Sequence, residues 1–247
     1  MNIGTLVFRF RSILLWAILL TGFWAPWVQM WAIGARTPLL EWLALETTRA
    51  GLLTFTVATP VVIVAGALVA ALGVGLRLWG SAWLGPGVVV HTQMQGASLT
   101  ADGPYRHVRN PLYLGAYCWI AALSLLMPAT GALFALIGAA LLSIILIRGE
   151  ESFLKSKLGQ PYIDYLHSVP RLFPRLRTTV APSGSQPHWG HAFLSEILPI
   201  GVFITIAFLS WTYDHDLMIR AVIITFGLSL VMRALLPPVK QEPDLPR

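Results

Sequence analysis

Long apolar stretches alternate with shorter polar stretches along most of this chain. Six of the apolar stretches approach or reach the roughly 20 residues that a helix needs to cross a lipid bilayer. They cover about residues 13–33, 52–76, 112–126, 132–147, 193–211 and 217–236. In lipid, such a stretch has to satisfy its backbone hydrogen bonds internally, so each one is predicted to be an α-helix. The pattern therefore predicts an all-α, polytopic transmembrane helical bundle of about six spans.

The composition agrees with an integral, multi-pass membrane protein surrounded by membrane lipids. Of the 247 residues, 56% are hydrophobic and only 11% are charged, whereas a soluble domain carries about a quarter charged residues. The net charge of +6 does not indicate a nucleic-acid partner, because the basic residues lie at the ends of the apolar stretches. The single cysteine, Cys118, lies inside an apolar stretch and excludes an intrachain disulfide.

The distribution of lysine and arginine predicts the orientation of the bundle, since cytoplasmic loops carry an excess of both. With a cytoplasmic N-terminus, six spans leave only Arg36, Arg49 and Arg220 of the 17 basic residues outside. The opposite orientation reverses this ratio. We therefore expect both the N- and the C-terminus to be cytoplasmic.

The third and fourth apolar stretches predict a helical hairpin, because only the uncharged turn at residues 127–131 separates them. Polar segments flank this hairpin at residues 103–115 and 148–171. A hairpin returns the chain to the membrane face that it left, so both segments are expected to lie together at the cytoplasmic face. The first segment contributes arginine, histidine, asparagine and tyrosine, and the second contributes the paired carboxylates of Glu150 and Glu151.

These residue types suit a zwitterionic ligand with separate carboxylate, ammonium and hydroxyl groups. An arginine can bind a carboxylate through two parallel hydrogen bonds, and a glutamate can accept hydrogen bonds from hydroxyl or ammonium groups. The rings of Tyr105 and Tyr113 can contact an adenine or a cationic sulfur. S-adenosylmethionine has all of these groups, but an adenine dinucleotide fits the same residue types.

A resemblance to known enzymes separates these cofactors. The string Gly-Pro-Tyr-Arg-His-Val-Arg-Asn-Pro-Leu-Tyr-Leu-Gly at residues 103–115 resembles the G-x-Y-x-x-x-R-H-P-x-Y-x-G signature of the isoprenylcysteine carboxyl methyltransferases and the related phospholipid methyltransferases. One hairpin later, the paired glutamates and the string L-G-x-x-Y-x-x-Y-x-x-x-V-P at residues 158–170 are similar to the second conserved segment of that family. The resemblance covers about residues 77–174.

The resemblance implies a membrane methyltransferase that uses S-adenosylmethionine at the cytoplasmic ends of the hairpin helices. It implies catalytic roles for Arg109, Glu150 and Glu151. Cofactor contacts are expected from the residues around the two motifs, namely Tyr105, Arg106, His107, Asn110, Pro111, Tyr113, Gly115 and Tyr162. Asn110 departs from the family, which usually has histidine there. Asparagine keeps a hydrogen-bond donor and an acceptor but cannot carry the charge of an imidazolium. No metal site is expected.

The chain is accordingly expected to divide into three regions. Residues 1–76 carry the N-terminal spans, and residues 77–180 form the methyltransferase-like core with its hairpin and cofactor site. Residues 181–247 comprise a linker, two C-terminal spans and a polar tail. The sequence specifies neither the role of the last two spans nor the oligomeric state.

Several functions remain open from the sequence alone. The methyl acceptor is expected to be lipid-like or a small apolar molecule, methylated on a carboxylate, an amine or a thiol. A first alternative is a sterol- or steroid-type membrane reductase using NADPH, since such enzymes share a similar Arg-x-Pro-x-Tyr-x-Gly hairpin. A second is a non-catalytic carrier or scaffold, although carriers usually place ionisable residues near the middle of several spans.

Overall fold

The helices account for most of the structure. The computed structural model describes residues 3–24, 37–84, 101–178, 180–182 and 184–235. The α-helices in these ranges are α1 (Ile3–Trp24), α2 (Leu39–Arg49), α3 (Phe55–Leu84), α4 (Pro111–Leu123), α5 (Ala129–Leu158), α6 (Gln160–Ser168), α7 (Trp189–Ser195), α8 (Ile197–Phe208) and α9 (His215–Leu235). Short 3-10 turns lie at Gly103–Arg106, Ser124–Leu126 and Leu209–Thr212. No β-strand occurs in the described ranges, which confirms the predicted all-α class.

The apolar helices confirm a polytopic bundle. By length and composition, α1, α3, α5 and α9 can each cross a membrane, and α7 with α8 forms a further candidate span that is bent by 67°. The helix at Pro111–Leu126 is apolar but shorter. In the described part of the chain, each of the six predicted stretches therefore falls on an apolar helix, and four of these helices, or five spans with the bent pair, have full spanning length.

The first helix begins earlier than the hydrophobic pattern predicted. It starts at Ile3 instead of near residue 13 and includes Arg9 and Arg11. Phe8 is buried against α5, and the Arg11 guanidinium lies 4.0 Å from the centre of the Phe8 ring. This cation–aromatic contact lets a charged residue continue the helix. Residues 25–33 of the predicted stretch lie outside the described residues.

The hydrophobic pattern missed α2 because its 11 residues include two glutamates and an arginine. Leu40 and Ala44 are buried and hold the helix against the bundle. The backbone N–H of Leu39 donates a 2.8 Å hydrogen bond to the carbonyl of Met127. Helix α2 therefore lies at the turn of the hairpin, at the opposite end from the polar segments.

Two glycines bring α3 and α4 into close contact. A Cβ atom on Gly115 would lie 2.9 Å from the Gly73 carbonyl oxygen, and one on Gly73 would lie 2.8 Å from the backbone nitrogen of Trp119. Small residues allow this approach between membrane helices. The contact places the last two turns of α3 beside the first turn of α4.

The fourth predicted stretch continues well beyond its apolar part. Helix α5 runs for 30 residues to Leu158, so Glu150 and Glu151 lie in its last turns. After α6, the chain crosses the same end of the bundle in an irregular segment of residues 169–178, 180–182 and 184–188, here called the strap. The backbone N–H of His188 donates to the carbonyl of Ala82, at the end of α3. The strap therefore spans the membrane face at which α3 and α5 end and α4 begins.

Candidate functional site

The first element of the site along the chain is a tight turn before α4. Gly103 has φ +53°, and a Cβ atom there would come within 2.4 Å of the Trp83 ring. Glycine is therefore the residue that fits both the backbone conformation and the space. The turn buries Tyr105, whose carbonyl accepts a 2.7 Å hydrogen bond from the Tyr165 hydroxyl. Burial, and then the nearby Tyr165 and Glu150, raise the pKa of Tyr105 well above its usual value.

The hairpin brings together the arginine and glutamate at its two ends. Arg109 lies just before α4 and Glu151 lies near the end of α5. The Nη2 atom of Arg109 is 3.5 Å from Oε1 of Glu151, and both side chains are about nine-tenths buried. Arg109 also donates from Nη1 to the carbonyl of Leu166 at 3.1 Å. The predicted juxtaposition of these two groups at one face of the bundle is thus present in the structure.

A second arginine shares the Glu151 carboxylate. Arg171, in the strap, donates from Nε to Oε1 at 3.2 Å and from Nη2 to Oε2 at 2.6 Å. This hydrogen bonding with Glu151 raises the pKa of Arg171. Arg171 directly follows the Val-Pro of the second motif, but the motif alone assigned it no role. A two-pronged contact of this type is the strongest that an arginine makes with a carboxylate.

Tyr162 forms an apolar wall beside this cluster. Its ring is buried, and its centre lies 5.9 Å from that of Tyr165. Burial, and then the charge of Glu151, raise the pKa of Tyr162 to about 12, and burial also raises that of Tyr165. Both phenols are therefore neutral at physiological pH. They exclude water from the Glu151 side of the site without adding charge.

Glu150 has different neighbours from Glu151. Successive residues of a helix point about 100° apart, so the two carboxylates diverge. The Tyr113 hydroxyl is placed to donate a hydrogen bond to Glu150, and the Arg11 guanidinium of α1 lies close enough to interact electrostatically. In the sequence, Arg11 lies just before the first predicted apolar stretch of residues 13–33. The order of residues along the chain gave no sign that α1 packs beside α5.

Three of the residues predicted to bind the cofactor form hydrogen bonds with the backbone of the strap. Nε of Arg106 donates to the carbonyl of Val180 at 2.8 Å, and Nδ1 of His107 donates to the carbonyl of Arg175 at 2.7 Å. Nδ2 of Asn110 donates to the carbonyl of Arg171 at 3.1 Å. The backbone N–H of Arg175 returns a bond to the His107 carbonyl at 3.0 Å. The motif before α4 and the strap are thus joined along their length. Asn110 needs only its amide for this contact, and no charge.

A separate buried ion pair connects the C-terminal helices to the hairpin. Arg77 of α3 donates to Glu196 from Nε at 2.5 Å and from Nη2 at 3.0 Å, and Ser81 donates to the same carboxylate at 2.5 Å. Glu196 is completely buried at the bend between α7 and α8. Arg77 also donates to the carbonyl of Leu112 at 3.3 Å, in the first turn of α4.

Two further residues of the predicted cofactor site lie beside this pair. Pro111 is buried at the first position of α4, where the missing N–H of proline has no helical partner to lose. A Cβ atom on Gly115 would lie 2.7 Å from Cγ of Arg77. Glycine therefore leaves the space in which the Arg77 side chain passes α4.

The donor set of the site fits a ligand with an anionic and a cationic end. The Nε atom of Arg109 is buried and has no hydrogen-bond partner among the described residues. A buried donor without a partner carries a desolvation cost of about 1–3 kcal/mol, which a ligand oxygen would remove. Glu150 supplies a carboxylate for cationic or hydroxyl groups, and the tyrosines supply aromatic surface. These groups suit the carboxylate, ammonium and ribose of S-adenosylmethionine.

Comparison with known proteins finds one family model that is similar to this part of the chain. Residues 61–161 match the family model of the phospholipid methyltransferases. No curated protein and no solved structure is significantly similar to the chain. The matched segment contains most of α3 and the whole hairpin, including Arg109, Glu150 and Glu151. The match shows that this part of the chain is similar to the phospholipid methyltransferases, and it supports a membrane methyltransferase.

Proposed function

We propose that this protein transfers a methyl group from S-adenosylmethionine to a lipid-like or small apolar acceptor. The observation that carries the proposal is the Arg109–Glu151 pair, which lies inside the family-matched segment and leaves the buried Nε of Arg109 without a partner among the described residues. The site lies at the membrane face that we predict to be cytoplasmic, where a soluble cofactor has access.

Arg109 is proposed to bind the cofactor carboxylate. Its Nη1 and Nη2 atoms are directed by the Leu166 carbonyl and by Glu151, which leaves the Nε edge for a ligand. Arg171 holds Glu151 from the other side. Glu151 is thus proposed to act through Arg109, by fixing the orientation of its guanidinium. An arginine held in this way loses little conformational freedom when a carboxylate binds.

Glu150 is proposed to accept hydrogen bonds from the cofactor ammonium or ribose, or a proton from the acceptor. It is held from one side by Tyr113. Bound S-adenosylmethionine would supply a methyl group on a cationic sulfur, and the carbon–sulfur electron pair would return to that sulfur as the acceptor's lone pair formed the new bond. The chain contributes alignment, exclusion of water and fixed charges around the reacting atoms. An amine or thiol acceptor also releases a proton, which Glu150 can receive.

A lipid-like acceptor has an apolar route to this position. The surface of α5 that precedes the two glutamates exposes Leu141, Ile144 and Ile145. An acceptor with a hydrocarbon tail can lie along this surface while its polar end reaches the hairpin. This arrangement favours an acceptor that partitions into the bilayer, and it leaves carboxylate, amine and thiol groups equally suited to methylation.

The test is methyl transfer by the full chain in lipid nanodiscs supplied with S-adenosylmethionine carrying a tritiated methyl group. Extractable label in the lipid or in an added apolar thiol, amine or carboxylate is expected with the wild type. Arg109→Gln and Glu151→Gln are expected to lose most of it. Arg49→Gln is the control, because Arg49 is 70% exposed on α2 at the other end of the hairpin. Equal label in all four proteins, or none in the wild type with any acceptor class, would contradict the proposal.

A further inference from the structure

The strap carries an exposed tip in which apolar and basic side chains alternate. Phe173 is 86% exposed and Leu176 is 95% exposed, although both are large hydrophobic residues. Arg175 and Arg177 lie beside them and are also exposed. Neither arginine has a side-chain hydrogen bond or ion pair within the described ranges. The tip, residues 173–177, therefore leaves both its apolar and its cationic groups without partners in the part of the chain that the structure describes.

Within the described ranges, the surroundings of the tip do not supply an anionic partner. No aspartate or glutamate occurs between Asp164 and Glu196 in the sequence. The Glu151 carboxylate, beneath the strap, is already paired with Arg171 and Arg109. Glu196 is buried with Arg77. The two arginines of the tip therefore have no anionic partner among the described residues.

The position of the tip indicates what such a partner is. Arg175 is joined to His107 by two hydrogen bonds, and Arg109 donates its backbone N–H to the strap carbonyl of Pro170 at 2.9 Å. These contacts hold the strap at the start of α4, where the apolar part of the hairpin begins. Exposed aromatic and aliphatic side chains next to arginines are typical of segments that lie in the interface of an anionic membrane.

We propose that the tip of the strap docks onto the surface of net-negative phospholipids. Phe173 and Leu176 enter the interfacial layer, and Arg175 and Arg177 bind lipid phosphate groups. This inference depends on the membrane location of the chain and not on the methyl-transfer reaction. Its consequence is that the lipid composition of one leaflet controls how firmly the strap lies over residues 105–110.

The test measures the access of water to the tip. A thiol is introduced by Leu176→Cys in a Cys118→Ala background, and its reaction rate with an uncharged, water-soluble maleimide is compared in two kinds of nanodisc. One contains phosphatidylcholine, and the other contains equal amounts of phosphatidylcholine and phosphatidylglycerol. Slower labelling is expected in the anionic discs, by about fivefold for each of the two arginines, since a basic residue near such a surface contributes about 1 kcal/mol.

Matched variants separate docking from general effects of surface charge. Adding Arg175→Gln and Arg177→Gln is expected to restore fast labelling. Adding Lys155→Gln and Lys157→Gln removes the same charge from the exposed end of α5 and is expected to leave labelling slow. A thiol introduced at the exposed Gln186 measures the slowing caused by the lower pH near an anionic surface, and the slowing at Leu176→Cys is expected to be larger.

Three results would overturn the proposal. The first is equal labelling of the Leu176→Cys thiol in both discs. The second is slow labelling in neutral discs as well, which would mean that apolar insertion occurs without recognition of charge. The third is protection in neutral discs by soluble glycerophosphate, which would make the ligand a free phosphate and not a lipid surface.

Discussion

Replacing Glu196 by alanine is expected to lower the free energy of unfolding by about 3–5 kcal/mol, the usual cost of leaving one partner of a buried ion pair alone. The carboxylate of Glu196 is completely buried and accepts three hydrogen bonds, two from Arg77 and one from Ser81. The Arg77 side chain is only 15% exposed, so water cannot replace the lost carboxylate. The variant would keep a charge in a poorly solvated position.

The size of this expected loss in the free energy of unfolding depends on the burial of the ion pair and not on the distance between its charged atoms. Glu46 and Arg49 on α2 form an ion pair of nearly the same length, 2.6 Å, but these side chains are 39% and 70% exposed. An exposed pair of this kind contributes about 0–1 kcal/mol. Glu46→Ala is therefore the matched control, with the same side-chain change and little expected effect.

The measurement is unfolding of each variant by sodium dodecyl sulfate in mixed detergent micelles, followed by circular dichroism. A double variant, Arg77→Met with Glu196→Leu, removes both charges and is expected to be more stable than Glu196→Ala, because an apolar pair leaves no unpaired charge. A Glu196→Ala effect no larger than that of Glu46→Ala would refute the reasoning. So would a double variant whose loss equals the sum of the two single losses.

Three further outcomes are expected from the same unfolding assay. Gly115→Ala should lower the free energy of unfolding by about 1–3 kcal/mol because the new Cβ would contact Arg77 and Gly73. Gly75→Ala is the control and should be neutral, since the space around its Cβ position is open. Equal effects of the two substitutions would contradict the close contact between α3 and α4. Tyr165→Phe should lower the free energy of unfolding by about 1–3 kcal/mol, because it leaves the buried Tyr105 carbonyl without its hydrogen-bond donor. Tyr213→Phe alters an exposed residue and is the control. Burial and then Glu151 raise the pKa of Tyr162 to about 12, while an unfolded tyrosine ionises near pH 10. The contribution of the neutral Tyr162 phenol to the free energy of unfolding should therefore be present below pH 10 and be lost as the pH rises to 12. Tyr162→Phe should lose less stability over that interval than the wild type.

The hydrophobic pattern was sufficient to predict the bundle and the central hairpin. Apolar runs of spanning length have few alternatives to helix in lipid, and the short turn at residues 127–131 left only an antiparallel pairing for α4 and α5. The pattern failed where helices carry charge. It missed α2, whose surface includes Glu41 and Glu46, and it started α1 too late because Arg9 and Arg11 resembled a boundary.

The motif was sufficient to bring Arg109 and Glu151 together, but it did not reveal their further neighbours. Arg171 lies at the end of the second motif, but the sequence does not indicate its partner, because it does not show in which direction the strap crosses the bundle. The position of Glu196 in the sequence indicates a buried partner. It is the one carboxylate within the apolar stretch of residues 193–211, and an ionisable residue inside a span generally has a buried partner. To identify Arg77 as this partner, however, the packing of α8 on α3 has to be known.

The most direct measurement is calorimetric titration of the purified full chain with S-adenosylhomocysteine, with NADPH titrated in parallel. We expect saturable binding of S-adenosylhomocysteine and no binding of NADPH. We also expect Arg109→Gln to weaken that binding about 10- to 100-fold, the range expected when a hydrogen-bonded charge contact is lost. Arg49→Gln should bind like the wild type. Binding of NADPH instead, or unchanged S-adenosylhomocysteine affinity in correctly folded Arg109→Gln, would contradict the proposed cofactor site.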